Sequence, residues 1–261
     1  ILYIVGGSNV TISQLTIDGV IKSGSTPLLD VDGDFNELTV ENVGFVNAAY
    51  AIKHRDVQPD HVTKNKRRKI NDCSFQYSNV DTDIAGTALR VNHVIWDVSV
   101  SNCSFENYAS AVVIEACNTR IYKNFFRNCN NGIITSGRES TEDGYQVLRI
   151  CSIESNDMIG GENFATGISH DMYTFNLLIN NNSIVDSSRS SASKTRIGIN
   201  VILTESSKHD MSITISNNII NSQYLSLTSG IHFEGGYAVI SGNNIDGTML
   251  KLGTAESTRN S

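Results

Sequence analysis

Proline is nearly missing from this chain of 261 residues, which has two. A Pro-rich tether is therefore excluded. No apolar run approaches the roughly 20 residues that cross a bilayer as a helix, so a transmembrane helix is excluded and no membrane partner is expected. Cysteine is sparse and odd in number, five in all, with no C-x-x-C pair, which argues against a zinc site or a disulfide framework. Basic charge is in deficit: 20 Lys and Arg against 27 Asp and Glu give a net charge of −7 and a pI near 5.3, disfavouring nucleic acid as the main partner. Neither a Met nor a basic stretch precedes ILYIVGGSNV, which reads as a strand in progress, not a signal peptide. Neither end carries an obvious cap, so a fragment of a longer protein is the expectation.

What the chain does contain is one six-residue pattern, apolar-x-x-(Asn, Cys or apolar)-x-apolar. It returns nine times, as in ISQLTI (12–17), INDCSF (70–75), IYKNFF (121–126), INNNSI (179–184) and ISGNNI (240–245). Start-to-start spacings are 28, 30, 30, 21, 32, 26, 36 and 25 residues, so a constant short strand alternates with connections of variable length. That is the signature of a solenoid. The apolar residues alternate around a turn residue and are rich in Ile, Val and Phe, which makes the repeats β rungs, not helices. A second series, from Ala51-Ile52 and Ala88-Leu89 to Gly198-Ile199 and Gly230-Ile231, marks another strand in each repeat. At about 3.3 Å of rise per residue, a turn near 28 residues suits a three-faced parallel β-helix better than a two-sided hexapeptide coil. All of residues 1–261 are expected to form one all-β domain of about nine coils.

The fourth pattern position reads Leu15, Val43, Cys73, Cys103 and then Asn124, Asn156, Asn182, Asn218 and Asn243. Equivalent residues one coil apart lie about 4.8 Å from each other, so the five asparagines are expected to form an amide ladder that also satisfies backbone groups at the bend. Cys73 and Cys103 occupy the same inward column and either stack as small hydrophobes or, at that spacing, bridge.

A parallel β-helix with Asn at the bend, a Gly/Ala-aliphatic strand, and phrases such as SNVTISQLTIDG (8–19) and FNLLINNNSIVDS (175–187) resembles the pectin-lyase-like superfamily over nearly the whole chain. Within it, the ragged coil lengths look more like bacteriophage tailspike and polysaccharide depolymerase domains than like secreted pectinases. The resemblance implies a single-stranded right-handed coil, a polysaccharide partner, a homotrimer, and a place on a virion tail or otherwise outside the cell. Some members keep the fold without catalysis. Neither the paired aspartates of polygalacturonases nor the calcium-aspartate and arginine set of pectate lyases is found, and fold likeness alone does not choose a reaction.

Candidate chemistry sits on the second strand series. Two places after its small residue come Lys53, Arg90, Val113, Ile134, Ser169, Asn200 and His232; four places after come Arg55, Asn92, Glu115, Ser136, Asp171, Ile202 and Glu234. Such a mixed face can grip sugar hydroxyls and carboxylates. Glu115, Asp171 and Glu234 recur two coils apart, about 9.6 Å along the axis, near the roughly 6.5–9.5 Å separation of inverting glycosidases. They are the catalytic candidates, with Arg90, Asn92, Arg138 and His232 as substrate contacts; the competing reading is a solvated strand face with scattered charge. His170 should point inward if Asp171 points out. His232, on the same face as Glu234, is the better general base should the reaction be an elimination. Asp81-Thr82-Asp83 could hold a hard cation, but paired loop carboxylates are common without one, and no metal or cofactor is expected. KNKRRK (64–69) reads as a basic loop, either solvated or an anchor for an anionic glycan. GRESTEDG (137–144) and VDSSRSSASKTR (185–196) read as insertions at coil bends, suited to lining a groove or meeting a neighbouring chain.

Overall fold

The computed structural model describes residues 2–19, 26–54, 67–78, 86–91, 97–115, 118–136, 148–171, 174–189, 195–203, 212–224, 227–246 and 250–253. Every element in them is a β-strand and every strand pairing is parallel, the arrangement of a parallel β-solenoid. The chain opens with β1 (Leu2–Asp18) and β2 (Leu29–Val46), long strands that bend through more than one face. It then settles into triplets, of which β3 (Tyr50–His54), β4 (Arg67–Asn71) and β5 (Ser74–Gln76) are the first. Each strand pairs with its counterpart three strands on, so three parallel sheets build up side by side. Sheet 1 holds the small-aliphatic strands. Sheets 2 and 3 hold the strands before and after the six-residue bend.

The bend has a single geometry repeated down the molecule. The third pattern residue takes the left-handed conformation every time, from Gln14 (φ 58°) and Asn42 (53°) to Lys123 (57°), Ser155 (56°) and Gly242 (65°). One left-handed residue reverses the pleat, so the fourth residue points inward where simple alternation would turn it out. Asn or Asp at the four remaining positions, Asp72, Asn102, Asn181 and Asn217, lowers the cost of the conformation.

Inward at position four the amide ladder forms. Asn124, Asn156, Asn182 and Asn218 each donate Nδ2–H to the Oδ1 of the next asparagine at 2.9–3.0 Å, and their backbone N–H groups donate to the same oxygen. Each Nδ2 also donates to a carbonyl on the preceding rung: Val100, Ile121, Ile153 and Ile179. The two cysteines carry on this second role. The Cys73 and Cys103 thiols donate to Val40 O and Ile70 O, the equivalent carbonyls, at 3.5 and 3.7 Å. They are free thiols, not a disulfide.

Behind the ladder the sixth pattern residue stacks on itself. Phe45, Phe75, Phe105 and Phe126 lie with ring centroids 5.0, 4.7 and 5.0 Å apart and planes within 9°. Rung spacing imposes this near-parallel geometry. In sheet 1 the small residues give way from Ala51, Ala88 and Ala111 to glycine because the rungs close up: a Cβ on Gly167 would stand 2.7 Å from Gly198 O, and one on Gly198 2.6 Å from Gly230 O.

One segment departs from its expected role. Residues 67–69 are strand, not loop: Arg67 and Lys69 face solvent beside Asp97 (3.5 Å) and Glu37 (2.6 Å), while Arg68 turns into the core, 2 % exposed. The alternation of a strand was hidden because all three residues are basic. Residues 64–66 lie outside the described residues.

Candidate functional site

Sheet 1 positions the candidate residues. Its strands run small, aliphatic, outward, inward, outward, and the corner buries the first two together, as in Ala88 and Leu89. The third place builds one continuous column: Lys53 lies beside Arg90, Arg90 beside Val113, and Ser169, Asn200 and His232 follow in register. The fifth place builds a second, in which Ser136, Asp171, Ile202 and Glu234 are consecutive partners. Glu115 extends it by one rung, since Ile114 pairs with Thr135 and the Glu115 N–H donates to Val91 O at 2.9 Å. Glu115 and Asp171 thus flank Ser136, and Asp171 and Glu234 flank Ile202. Asp171 is exposed and Glu115 and Glu234 are half-buried.

His170 points inward, fully buried, with Nδ1 2.9 Å from the Thr135 hydroxyl. It cannot meet a ligand on the face that carries Asp171. His232 differs from its expected solvent exposure: it stands in the outward column yet is 9 % exposed. Its Nδ1 lies 2.9 Å from Asn200 Oδ1, and its Nε2 lies 2.8 Å from Glu234 Oε1. The second contact is close in distance but is not aligned as a hydrogen bond. Both ring nitrogens face an oxygen of a neighbouring outward residue. Asn200 is thus a positioning residue for His232; the column placed it there, but nothing in its own sequence context marked it.

Arg55, Asn92, Arg138 and Asp81-Thr82-Asp83 lie outside the described residues, as do residues 137–144. In the described part of 185–196, Asp186, Ser188 and Arg196 turn inward, while Arg189 and Thr195 are exposed. Arg196 and Asp186 are both fully buried with Nη1 and Oδ2 3.8 Å apart, and Arg196 also donates from Nη2 to Glu162 O at 3.2 Å and from Nη1 to the Ser188 hydroxyl. These bonds pin the corner after sheet 3.

Among the described residues, the buried thiols of Cys103, Cys129 and Cys151 are poor nucleophiles. Burial pushes Cys129 and Cys151 up to about 12, and the Cys73 thiol beside it together with burial raises Cys103. Among the described residues no group of three His, Cys, Asp or Glu side chains is placed to hold a metal ion.

No family model, curated protein or solved structure matches this chain.

Proposed function

We propose that this chain is a carbohydrate-active, right-handed parallel β-helix of about nine coils, of the pectin-lyase-like kind, working in the manner of a phage tailspike depolymerase. In this reading it acts outside the cell or on a virion tail, as a homotrimer, and binds a bacterial surface or other acidic polysaccharide along sheet 1. The observation that carries the reading is the column Glu115–Ser136–Asp171–Ile202–Glu234, with carboxylates two rungs apart. Lys53 and Arg90 on adjacent rungs supply cationic contacts for a uronate or other acidic sugar. One carboxyl group protonates the leaving oxygen while the other activates water.

The pairing of His232 with Glu234 in the outward columns, with Nε2 2.8 Å from Oε1, favours a second reading, elimination, in which the imidazole turns outward and removes the proton beside a uronate carboxylate. One assay separates the two. Incubated with capsular polysaccharides, O-antigens and pectic polymers, a hydrolase releases reducing ends alone, whereas a lyase also releases unsaturated uronates. Asp171→Asn and Glu234→Gln are expected to lower hydrolysis by about 100-fold or more, and His232→Gln to do the same for elimination. A panel left intact by the protein, or cleavage indifferent to all these substitutions, would leave the chain a noncatalytic shaft. The outward apolar residues Val113, Ile134 and Ile202 would then serve as packing surface between subunits.

A further inference from the structure

The corner between sheets 2 and 3 is the one that sheet 1 does not share, and on the first rungs it is hollow. An open trough of about 650 Å³ runs across it. The left-handed residues Gln14, Asn42, Asp72 and Asn102 line one side and the next outward column, in which Thr16, Gly44, Ser74 and Ser104 are consecutive partners, lines the other, with Leu15, Val43 and Cys73 between them. Four rungs span three spacings, about 14 Å.

Three features give the trough a chemical preference. Gly44 leaves a gap in the outward column, where the Thr16 and Ser74 hydroxyls would stand 3.3 and 3.4 Å from a Cβ added there. Asp72 is held on one flank by the Asn71 amide, whose own Oδ1 accepts from Ser101 Oγ at 2.7 Å and from Asn102 Nδ2 at 3.4 Å. At the far end the small residues stop abruptly. Tyr122 takes the place in register beside Ser101, and Phe125 the place beside Ser104, each 40 % exposed. The lining thus offers amides, hydroxyls and one carboxylate, and the rung next to it adds two exposed aromatic side chains. Lys123 stands on that same rung, between Tyr122 and Phe125 in sequence, and sets one cation against the one carboxylate.

We propose that this trough is a second binding site, for a neutral oligosaccharide lying along the coil axis. Sugar hydroxyls both donate and accept, which amides, hydroxyls and a carboxylate answer in full. The apolar C–H face of a pyranose packs on the electron-rich face of an aromatic ring, for which Tyr122 and Phe125 are available at the end of the trough. Extended glycans advance per sugar by a length close to the rung spacing, so equivalent groups on successive rungs meet equivalent groups on successive sugars. One carboxylate, Asp72, against one cation, Lys123, gives this site no charge excess, whereas on sheet 1 Lys53 and Arg90 on adjacent rungs favour an acidic glycan. The proposal does not depend on catalysis at the carboxylate column.

The test is binding of the whole chain to cello-, malto- and chito-oligosaccharides, with oligogalacturonate as the acidic counterpart, followed by ligand-observed NMR and calorimetry. At least one neutral series is expected to bind, with affinity rising from the disaccharide to about the tetrasaccharide and then levelling, as the 14 Å length requires. Gly44→Phe fills the trough and is expected to weaken that binding at least about tenfold. Phe125 holds the same register three rungs on, and an unchanged melting temperature checks that the Gly44 rung accepts the side chain as well. Should Gly44→Phe misfold, Phe125→Ala and Asn102→Ala, both at half-buried or exposed positions, are expected to weaken binding in its stead. Asp171→Asn and Glu234→Gln should leave it unchanged. No binding by any neutral series, binding that survives a folded Gly44→Phe, or binding lost with Glu234→Gln would each overturn the proposal.

Discussion

Two basic residues lie where an all-β core has no obvious use for them. His54 occupies the inward column of sheet 1 beside Val31 and is buried, and Arg68 occupies the inward column of sheet 2 between Leu38 and Val98. Burial, with the Arg68 guanidinium adding to it, pushes the His54 imidazole down from 6.5 to about 3. Between those values the unfolded chain binds a proton at this histidine and the folded chain does not. Stability is therefore complete above about pH 6.5 and declines as pH falls toward about 3. At about 1.36 kcal/mol for each tenfold change in proton affinity, the gap amounts to at most about 5 kcal/mol. His54→Val, which continues the column begun by Val31, should flatten the pH dependence of urea unfolding across that window. An unaltered slope would mean that the acid sensitivity comes from other groups.

At the scale of the element, the bend is the unit that repeats, and its central bond is the asparagine. Asn156 donates to Ile121 O and Asn182 Oδ1 and accepts from both the backbone and side-chain amides of Asn124. Asn156→Ala leaves the Asn124 N–H and the Ile121 carbonyl buried without these partners, at about 1–3 kcal/mol each. Asn156→Cys restores the carbonyl contact, as Cys73 and Cys103 make it, and should recover part of the loss in a urea titration; equal destabilisation by the two variants would deny that the thiols stand in for the amide. Much of this element was legible in the sequence, because amide bonding from rung to rung requires Asn at constant phase, and turns placed independently would scatter it. The alignment of small-aliphatic pairs likewise placed Asp171 and Glu234 in one column, since strand register follows directly from a repeated corner. Other features were not legible for definite reasons. The left-handed residue is the third of the pattern, where Gln, Lys and Ser stand as well as Asn, so composition does not mark it. Arg68 carried the signal of a solvated loop because charge outweighs alternation in a run of three basic residues. The burial of His232 depends on what packs over the outward column, which periodicity does not encode.

Across the whole molecule, a solenoid should tolerate loss of a complete rung, because each rung contacts only its neighbours. The 21-residue spacing between VSNCSF and IYKNFF is the shortest in the chain and gives a clean excision. Deleting residues 104–124 joins Cys103 directly to Phe125. The Cys103 N–H, which now donates to Asn124 Oδ1, then faces Asn156 Oδ1, the acceptor that Asn124 N–H uses at present. Phe126 comes to stack on Phe75 in place of Phe105. Every column keeps its register, and one set of rung-to-rung contacts disappears. The shortened chain is expected to retain a β-rich circular dichroism spectrum and a single cooperative melt at a lower midpoint. Deleting 104–119 instead, a length that does not match the repeat, puts polar side chains into inward columns and should abolish folding. If both deletions unfold alike, the rungs are not interchangeable, and the stability of this chain resides in particular contacts more than in the repeat.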